Sequence, residues 1–491
     1  MKRILIILLS CLALVSCENL TSMNVNPNNV TTTHPQLLLP DIAWNAFSDA
    51  STGPVHACRM QVKNDQISSE QTYTWTRGSF GDYANLRNVQ KMEEEAQAIG
   101  SNAYIGLAEF FKACFFYNLT MTFGDIPYSQ ALKGETEQVY TPVYDTQEQV
   151  FVGILHNLST ADSLLALDAS VIDGDIIYGG DVSQWRKLVN SFRLKVLMSL
   201  SRRGTVGGMD VATEFAAVVA EKPLFESIDD DAKVVYEDKT GMRYPQYNST
   251  MQSTEAYSDS TFVQRLVDRQ DPRLFTFCQQ TKNAQEAGLA VDDFTAYEGG
   301  DPIVTADRIN AKVGEGKISK LNERFYFDAV NEPSIWLGYA EVQQILAEAV
   351  VRGWIAGNAQ TYYENGVRAS FEFYRTYCTD YAQYLSEDAV ETYLDGELVD
   401  FAQATTNEER IALIIMQKYI ASFYQGGWTP YYEQLRTGYP GFRVSAGTDY
   451  PRRWMYPQSE YTNNAANVEA AITRQFGMGN DNISEPTWQN E

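Results

Sequence analysis

The chain has 491 residues, 44% of them hydrophobic, and a formal net charge of −25. That length and hydrophobic share allow a large buried core, while the acidity excludes nucleic acid and anionic headgroups as main partners, because both need Lys/Arg surfaces that release counterions. Aromatic residues reach 12%, with 30 Tyr and 8 Trp; core packing claims most of these rings and leaves some for a surface role.

At the N-terminus Lys2 and Arg3 precede an apolar run from Ile4 to Val15, too short to span a bilayer and right for a signal peptide. The run ends in Leu14-Val15-Ser16-Cys17, a small residue before a cysteine, which is the pattern of a lipoprotein signal. Residues 1–16 are therefore expected to be removed. Cys17 becomes the lipidated N-terminus, and residues 17–35, rich in Asn and Thr, form a polar tether. Residues 36–491 form the body, interrupted by a long irregular insert at about 204–333.

Downstream the dominant pattern is helical, and the helices come in pairs. The first pair runs from Tyr83 to Ile99 and from Asn102 to Thr122, split at Gly100-Ser101. A second pair starts at Asp145, read as a capping box with Glu148, and ends near Leu167; its partner runs from Asp181 to about Arg202. In that partner Trp185, Leu188, Val189, Phe192 and Val196 make the apolar stripe, with Arg186, Lys187, Arg193 and Lys195 assigned to the other face. The third pair is Gly338 to Val351 and Asn358 to Tyr374. The fourth is Asn407 to Tyr424 followed by a short helix opened by Thr429-Pro430, with Thr as N-cap. Strand-like alternation is confined to short pieces such as Lys233 to Tyr236 and Arg324 to Phe327. The predicted fold class is all-α, a superhelix of tetratricopeptide-like helix pairs with long loop inserts and a few short strands.

Markers of several chemistries are missing from the sequence. The three histidines, His34, His56 and His156, have no ligand spacing, and no CxxC, HExxH, GxSxG, Walker loop or GxGxxG after a strand occurs, so neither a metal nor a cofactor is expected. Asp229-Asp230-Asp231 lacks the spaced oxygens of a calcium loop and reads as a solvated turn. Glu341 and Glu348, at i and i+7, share a helix face and have the residue types of a glycosidase pair, although ion pairing with nearby Arg or Lys is the more common role. Cys58, Cys114, Cys278 and Cys378 are isolated and read as buried free thiols.

Seven segments together resemble one family: Gly124-Asp125-Ile126-Pro127-Tyr128, Trp185-Arg186-Lys187-Leu188, Asp271-Pro272-Arg273-Leu274, Ile345-Leu346-Ala347-Glu348-Ala349, Gln417-Lys418-Tyr419-Ile420, Arg436-Thr437-Gly438-Tyr439-Pro440 and Pro451-Arg452-Arg453-Trp454-Met455-Tyr456-Pro457. In this order, behind a lipobox, the chain resembles the SusD/RagB-like nutrient-binding outer-membrane lipoproteins of Bacteroidetes, in the SusD-like 2 branch. The resemblance implies four tetratricopeptide-like units, a lipid-anchored place on the outer membrane facing outward, and no catalysis. It also implies a SusC-like TonB-dependent transporter as partner and a glycan or peptide as ligand. Two other function classes fit a helical scaffold: a glycan hydrolase, and a protein-interaction scaffold.

Ligand contacts are expected where aromatic and polar side chains meet on loops, since sugars present C–H patches that stack on rings and hydroxyls that need partners. Tyr73, Trp75 and Arg77 alternate in Thr72 to Gly78, so an extended chain presents them on one side. Tyr244, Tyr247 and Asn248 cluster in a stretch without helical period. Trp336, at the start of a helix, is a weaker third candidate.

Overall fold

The computed structural model describes residues 33–48 and 51–491. The signal peptide, Cys17 and nearly all of the tether lie outside the described residues. An N-terminal helix α1 (Leu39–Phe47) is followed by the first pair, α2 (Asp82–Ile99) and α3 (Asn102–Phe123). The second pair is α4 (Gln147–Ala166) and α5 (Val182–Ser199), the third α6 (Tyr339–Val351) and α7 (Ala359–Tyr377). α8 (Asn407–Ala421), α9 (Thr429–Thr437) and a C-terminal α10 (Ala465–Phe476) complete the scaffold. The all-α class and the four helix pairs agree with the sequence pattern.

Local chemistry sets most boundaries. α2 stops at Gly100, which takes the left-handed conformation (φ 70°) that a C-cap requires. α5 begins at Asp181, whose carboxylate accepts from the Ser183 and Gln184 N–H groups, and Asn358 does the same for α7. α8 carries a capping box of Thr406 and Glu409. The box on α4 is Thr146 with Gln149, one residue beyond the predicted one; Asp145 instead accepts from the Tyr128 and Ser129 N–H groups, at 3.0 and 2.7 Å. At α9 the N-cap is Trp428, and Thr429 and Pro430 are already helical.

The strands are short antiparallel pairs: Gln61–Lys63 with Ala256–Ser258, Thr205–Val206 with Met209–Asp210, and Ala232–Val234 with Ser334–Leu337. Arg324–Phe327 is a helical turn, not a strand, and its Phe325 and Tyr326 are both buried. The 204–333 stretch contains short helices, among them Val211–Glu221, Ser260–Asp268 and Ala306–Gly314. Its aspartate triplet is not a solvated turn. Asp230 and Asp231 are buried: Asp230 pairs with Lys187, and Asp231 accepts the Tyr339 N–H at 2.7 Å, supplying the first turn of α6 with an acceptor.

α3 is buried on almost every side, lying between α2 and α4, and α5 is buried from Leu188 to Ser199. Arg193 and Lys195, assigned by periodicity to an outer face, are therefore inside, each with 9% exposure. A charge so placed needs a partner. Arg193 pairs with Glu214, and Lys195 with Glu341 at 3.2 Å. From Glu341 the pairing continues through Lys418 of α8 and Glu433 of α9 to Arg436, whose guanidinium grips Glu348 of α6 with two bonds of 2.5 and 2.7 Å; Arg352 closes the row. The two acids that shared a helix face are thus tied to four cations. The four candidate thiols, Cys58, Cys114, Cys278 and Cys378, are free and buried, and burial pushes their ionisation up, leaving them inert packing groups.

Burial alone raises the cost of ionising Glu433, but the adjacent Arg436 and Lys418 charges outweigh it and hold the carboxyl down at about 2. The Glu433 contribution is present above the ordinary carboxylate range and is lost as pH falls from about 4.5 toward 2. Arg436→Ala leaves Glu348 and Glu433 buried without it, so urea denaturation at pH 7 is expected to show a loss of about 3–5 kcal/mol. Arg368→Ala, which breaks a partly exposed pair with Glu364 and Glu391, is expected to change stability by about 1 kcal/mol or less in the same assay.

Candidate functional site

A cleft of about 320 Å³ opens where the N-terminal helix pairs meet the α8–α9 corner. Its walls come from α1, α3 and α5 on one side and from Tyr424 to Tyr432 on the other, with the strand Ser334–Leu337 between them. That volume lies at the small end of ligand-binding pockets.

Three rings give the cleft its apolar surface. Trp336 packs against Phe192 and Phe47, with ring centroids 4.7 and 5.1 Å apart, and stays half-buried because its strand runs along the floor. Trp428 is wedged edge-on against Trp454 (4.6 Å, 85°) and Trp75 (5.7 Å). The chain reaches it through Gly426 and Gly427, both at positive φ (66° and 53°), a double turn that a side chain would strain. Tyr432, one turn into α9, lies within 3.2 Å of the Thr122 hydroxyl through its own.

Polar groups line the same space. Asn45 and Asn118 are exposed and Asp82 is partly buried at the start of α2. Burial pushes the Asp82 carboxyl up to about 6, only partly opposed by the Asn85 amide that donates to it at 3.3 Å. Lys195 reaches the wall, but its ammonium donates to the Thr429 hydroxyl at 2.9 Å and pairs with Glu341. The cleft thus offers ring faces, amides and one carboxyl, with its cation already engaged. Such a set suits a ligand with C–H faces and hydroxyl groups.

The two loop clusters singled out from sequence fall elsewhere. Tyr73 ends a helical turn, Ser69–Thr72, in the left-handed conformation, so the segment is not extended there as the alternation required. Its ring is 6% exposed, lies under Arg59 at 3.9 Å, and its hydroxyl donates to the Ala57 carbonyl. Trp75 is 4% exposed, stacks on Trp454 at 4.9 Å and donates to the Arg453 carbonyl. It stands behind Trp428 and supports the cleft wall from within. Arg77 reaches the surface, stacked on Tyr461 at 4.7 Å and donating to the Tyr456 carbonyl. Tyr244 is core, beside Tyr236 and Phe325. Tyr247 is half-buried beneath Arg243, and Asn248 is exposed at a left-handed turn (φ 58°). Trp336 does line the cleft. Trp428, Tyr432, Asp82, Asn118 and Asn45 were not singled out; a Gly-Gly-Trp run before a proline-capped helix was the one local sign of a ring held at a corner.

A family profile described as starch-binding associating with outer membrane matches residues 27–457. The chain belongs to this SusD-like family. A SusD homolog from Bacteroides fragilis is 56% identical, with a TM-score of 0.90 over 94% of this chain and 100% of the other. A second SusD homolog from the same species is 33% identical, with a TM-score of 0.87 over the same shares. A chitin-binding SusD homolog from Flavobacterium johnsoniae shares the fold at 20% identity, with a TM-score of 0.74 over 94% of this chain and 99% of the other. No curated protein matches the chain.

The family-like segments prove to be structural. Asp125 accepts the Gln147 N–H at the start of α4 and pairs with Arg474 of α10. Arg273 and Asp271, both fully buried, form a pair that Ser370 and Gln417 complete. Arg436 belongs to the buried charge row, and Arg453 pairs with Asp481. These contacts fasten segments distant in sequence, and none of Asp125, Asp271, Arg273, Arg436 and Arg453 lines the cleft.

The raised Asp82 value has a sign that can be tested. Folding favours its neutral form, so its contribution is full below the ordinary carboxylate pKa and declines as pH rises to about 6. Asp82→Asn is therefore expected to raise stability at pH 7 and to leave it nearly unchanged at pH 4, as read by thermal melts at the two pH values.

Proposed function

We propose that this SusD-like protein is a cell-surface lipoprotein, lipidated at Cys17, that captures a nutrient in the cleft and delivers it to a SusC-like TonB-dependent transporter. An oligosaccharide is the foremost ligand class and a peptide the other. The observation that carries this reading is the meeting of Trp336, Trp428 and Tyr432 with Asp82, Asn45 and Asn118 around one 320 Å³ space. Rings stack on the C–H faces of a sugar and the polar groups exchange hydrogen bonds with its hydroxyls. Arg77, Tyr247 and Asn248 reach the surface and belong to the proposal as outer contacts; Tyr73, Trp75 and Tyr244 would contribute through the packing they provide. Binding and release require no bond to be broken, and Glu341 and Glu348 are engaged by cations. No helix among the described residues is long and apolar enough to cross a membrane, so attachment falls to the lipid at Cys17.

Two measurements test the reading. Calorimetric titration of the anchor-free body with maltohexaose, cellohexaose, chitohexaose and mixed peptides should identify a ligand that is recovered intact. Trp428→Ala should weaken it about tenfold, and Asn118→Ala, at an exposed position, should weaken it less. Full affinity in both variants, or turnover of the ligand, would sink the cleft proposal. Cys17→Ala should move the protein from the membrane to the soluble fraction of cells without altering ligand affinity in the purified body.

A further inference from the structure

Next to the cleft, sharing Trp336, Gly426 and Thr429 with it, lies a second cavity of about 70 Å³ between α6, α7 and α8. Its volume is room for a handful of waters or one small organic group. The surface of the wall is largely apolar, with Ile335, Val367 and Ile415, and polar side chains border it as well, among them Gln344, Glu341, Glu433, Lys418 and Arg273.

Gln344 is the informative one. It is 2% exposed, and its Nε2 donates to the Tyr363 carbonyl at 2.9 Å, which fixes the amide orientation. Its Oε1 is buried with no hydrogen-bond partner. The amide cannot retreat, because Gly366 of α7 packs against it so closely that a Cβ there would lie 2.4 Å from Nε2. A buried amide oxygen without a donor is unfavourable, and a native fold that keeps one at the wall of a cavity has a place for a donor to arrive.

The surrounding charge defines which donor fits. Lys418 is paired with Glu433 and Glu341, and Arg273 with Asp271, so cations and anions balance around the space. An ammonium group would face Lys418 and Arg273, and a carboxylate would face the Gln344 oxygen, Glu341 and Glu433. A neutral hydroxyl suffers neither opposition. We infer that this cavity is an inner subsite of the cleft that takes the hydroxyl-bearing end of a neutral polyol or sugar, with a hydroxyl donating to Gln344 Oε1. This deepens the cleft proposal and rests on it for the rest of the ligand.

The test uses glycerol and glucose as probes of the whole body. Crystals soaked in glycerol are expected to hold a polyol in the cavity with one hydroxyl on Gln344 Oε1, and saturation-transfer NMR should detect glucose binding in solution. Gln344→Met, which keeps side-chain volume and removes the acceptor, should weaken glucose about fivefold, the loss of one neutral hydrogen bond. Gly366→Ala, which pushes into the Gln344 amide, should weaken it as well while adding a better helix former to α7. Either variant counts only if its thermal melt shows a folded body, and the two are unlike enough in mechanism that one serves where the other fails. A cavity without polyol, binding at crystal concentration only, or undiminished glucose binding in a folded variant would overturn the inference. Failure of the cleft proposal looks different: glucose then occupies the cavity, while Trp428→Ala leaves oligosaccharide affinity untouched.

Discussion

The row of alternating charges from Lys195 to Arg352 crosses α5, α6, α8 and α9, and each member inside its two ends stands between partners of the other sign. Taking so many ionised groups out of water costs several kcal/mol apiece, a cost that Coulomb attraction offsets only where every group is paired with good geometry. The helices are thereby held to one register: a shift that separated Arg436 from Glu348 would leave a carboxylate buried alone. Apolar packing is more tolerant of sliding than this. The row also ends at the candidate cleft, since Lys195 at its head donates to Thr429 on the cleft wall and Glu341 borders the inner cavity. The scaffold and the candidate site are thus set by the same contacts.

A parallel economy governs the rings. Trp336 and Trp428 turn one side to the core and the other to the cleft, and Trp75, Trp454, Phe47 and Phe192 stand directly behind them. Edge-to-face contacts of this kind fix a ring plane as well as filling space. A ring fixed before ligand arrives loses little conformational entropy on binding, which is the advantage of mounting the site on the core and not on free loops.

Much of the helical frame was legible in the sequence because it is written locally. Gly100, Asp181 and Asn358 each act within four residues of their own position, and one helix end and two helix starts followed from them. What could not be read depends on neighbours far along the chain. Arg193 and Lys195 have the periodicity of an outer face, yet their partners Glu214 and Glu341 and the helices that cover them arrive from elsewhere. Tyr73 and Trp75 show the spacing of an exposed strand, but Arg59, Tyr431 and Tyr450 enclose the first and Arg453 and Trp454 the second. Composition drew attention to aromatic loops. Only the packing distinguishes a ring that faces solvent on one side from a ring enclosed on both.

Charge bears on ligand class at two length scales. At long range a chain of net charge −25 repels anionic polymers, although salt screens that field over about 8 Å at physiological ionic strength. At short range the cleft adds Asp82 and no uncommitted ammonium, because Lys195 is engaged. An anionic ligand is therefore disfavoured on approach and again on arrival, and a cationic one gains on approach but must then share the inner space with Lys418 and Arg273. A neutral, hydroxyl-rich ligand meets no opposing charge at either stage, and the burial that raises the Asp82 carboxyl to about 6 leaves it, at pH near that value, able both to donate and to accept hydrogen bonds with hydroxyl groups.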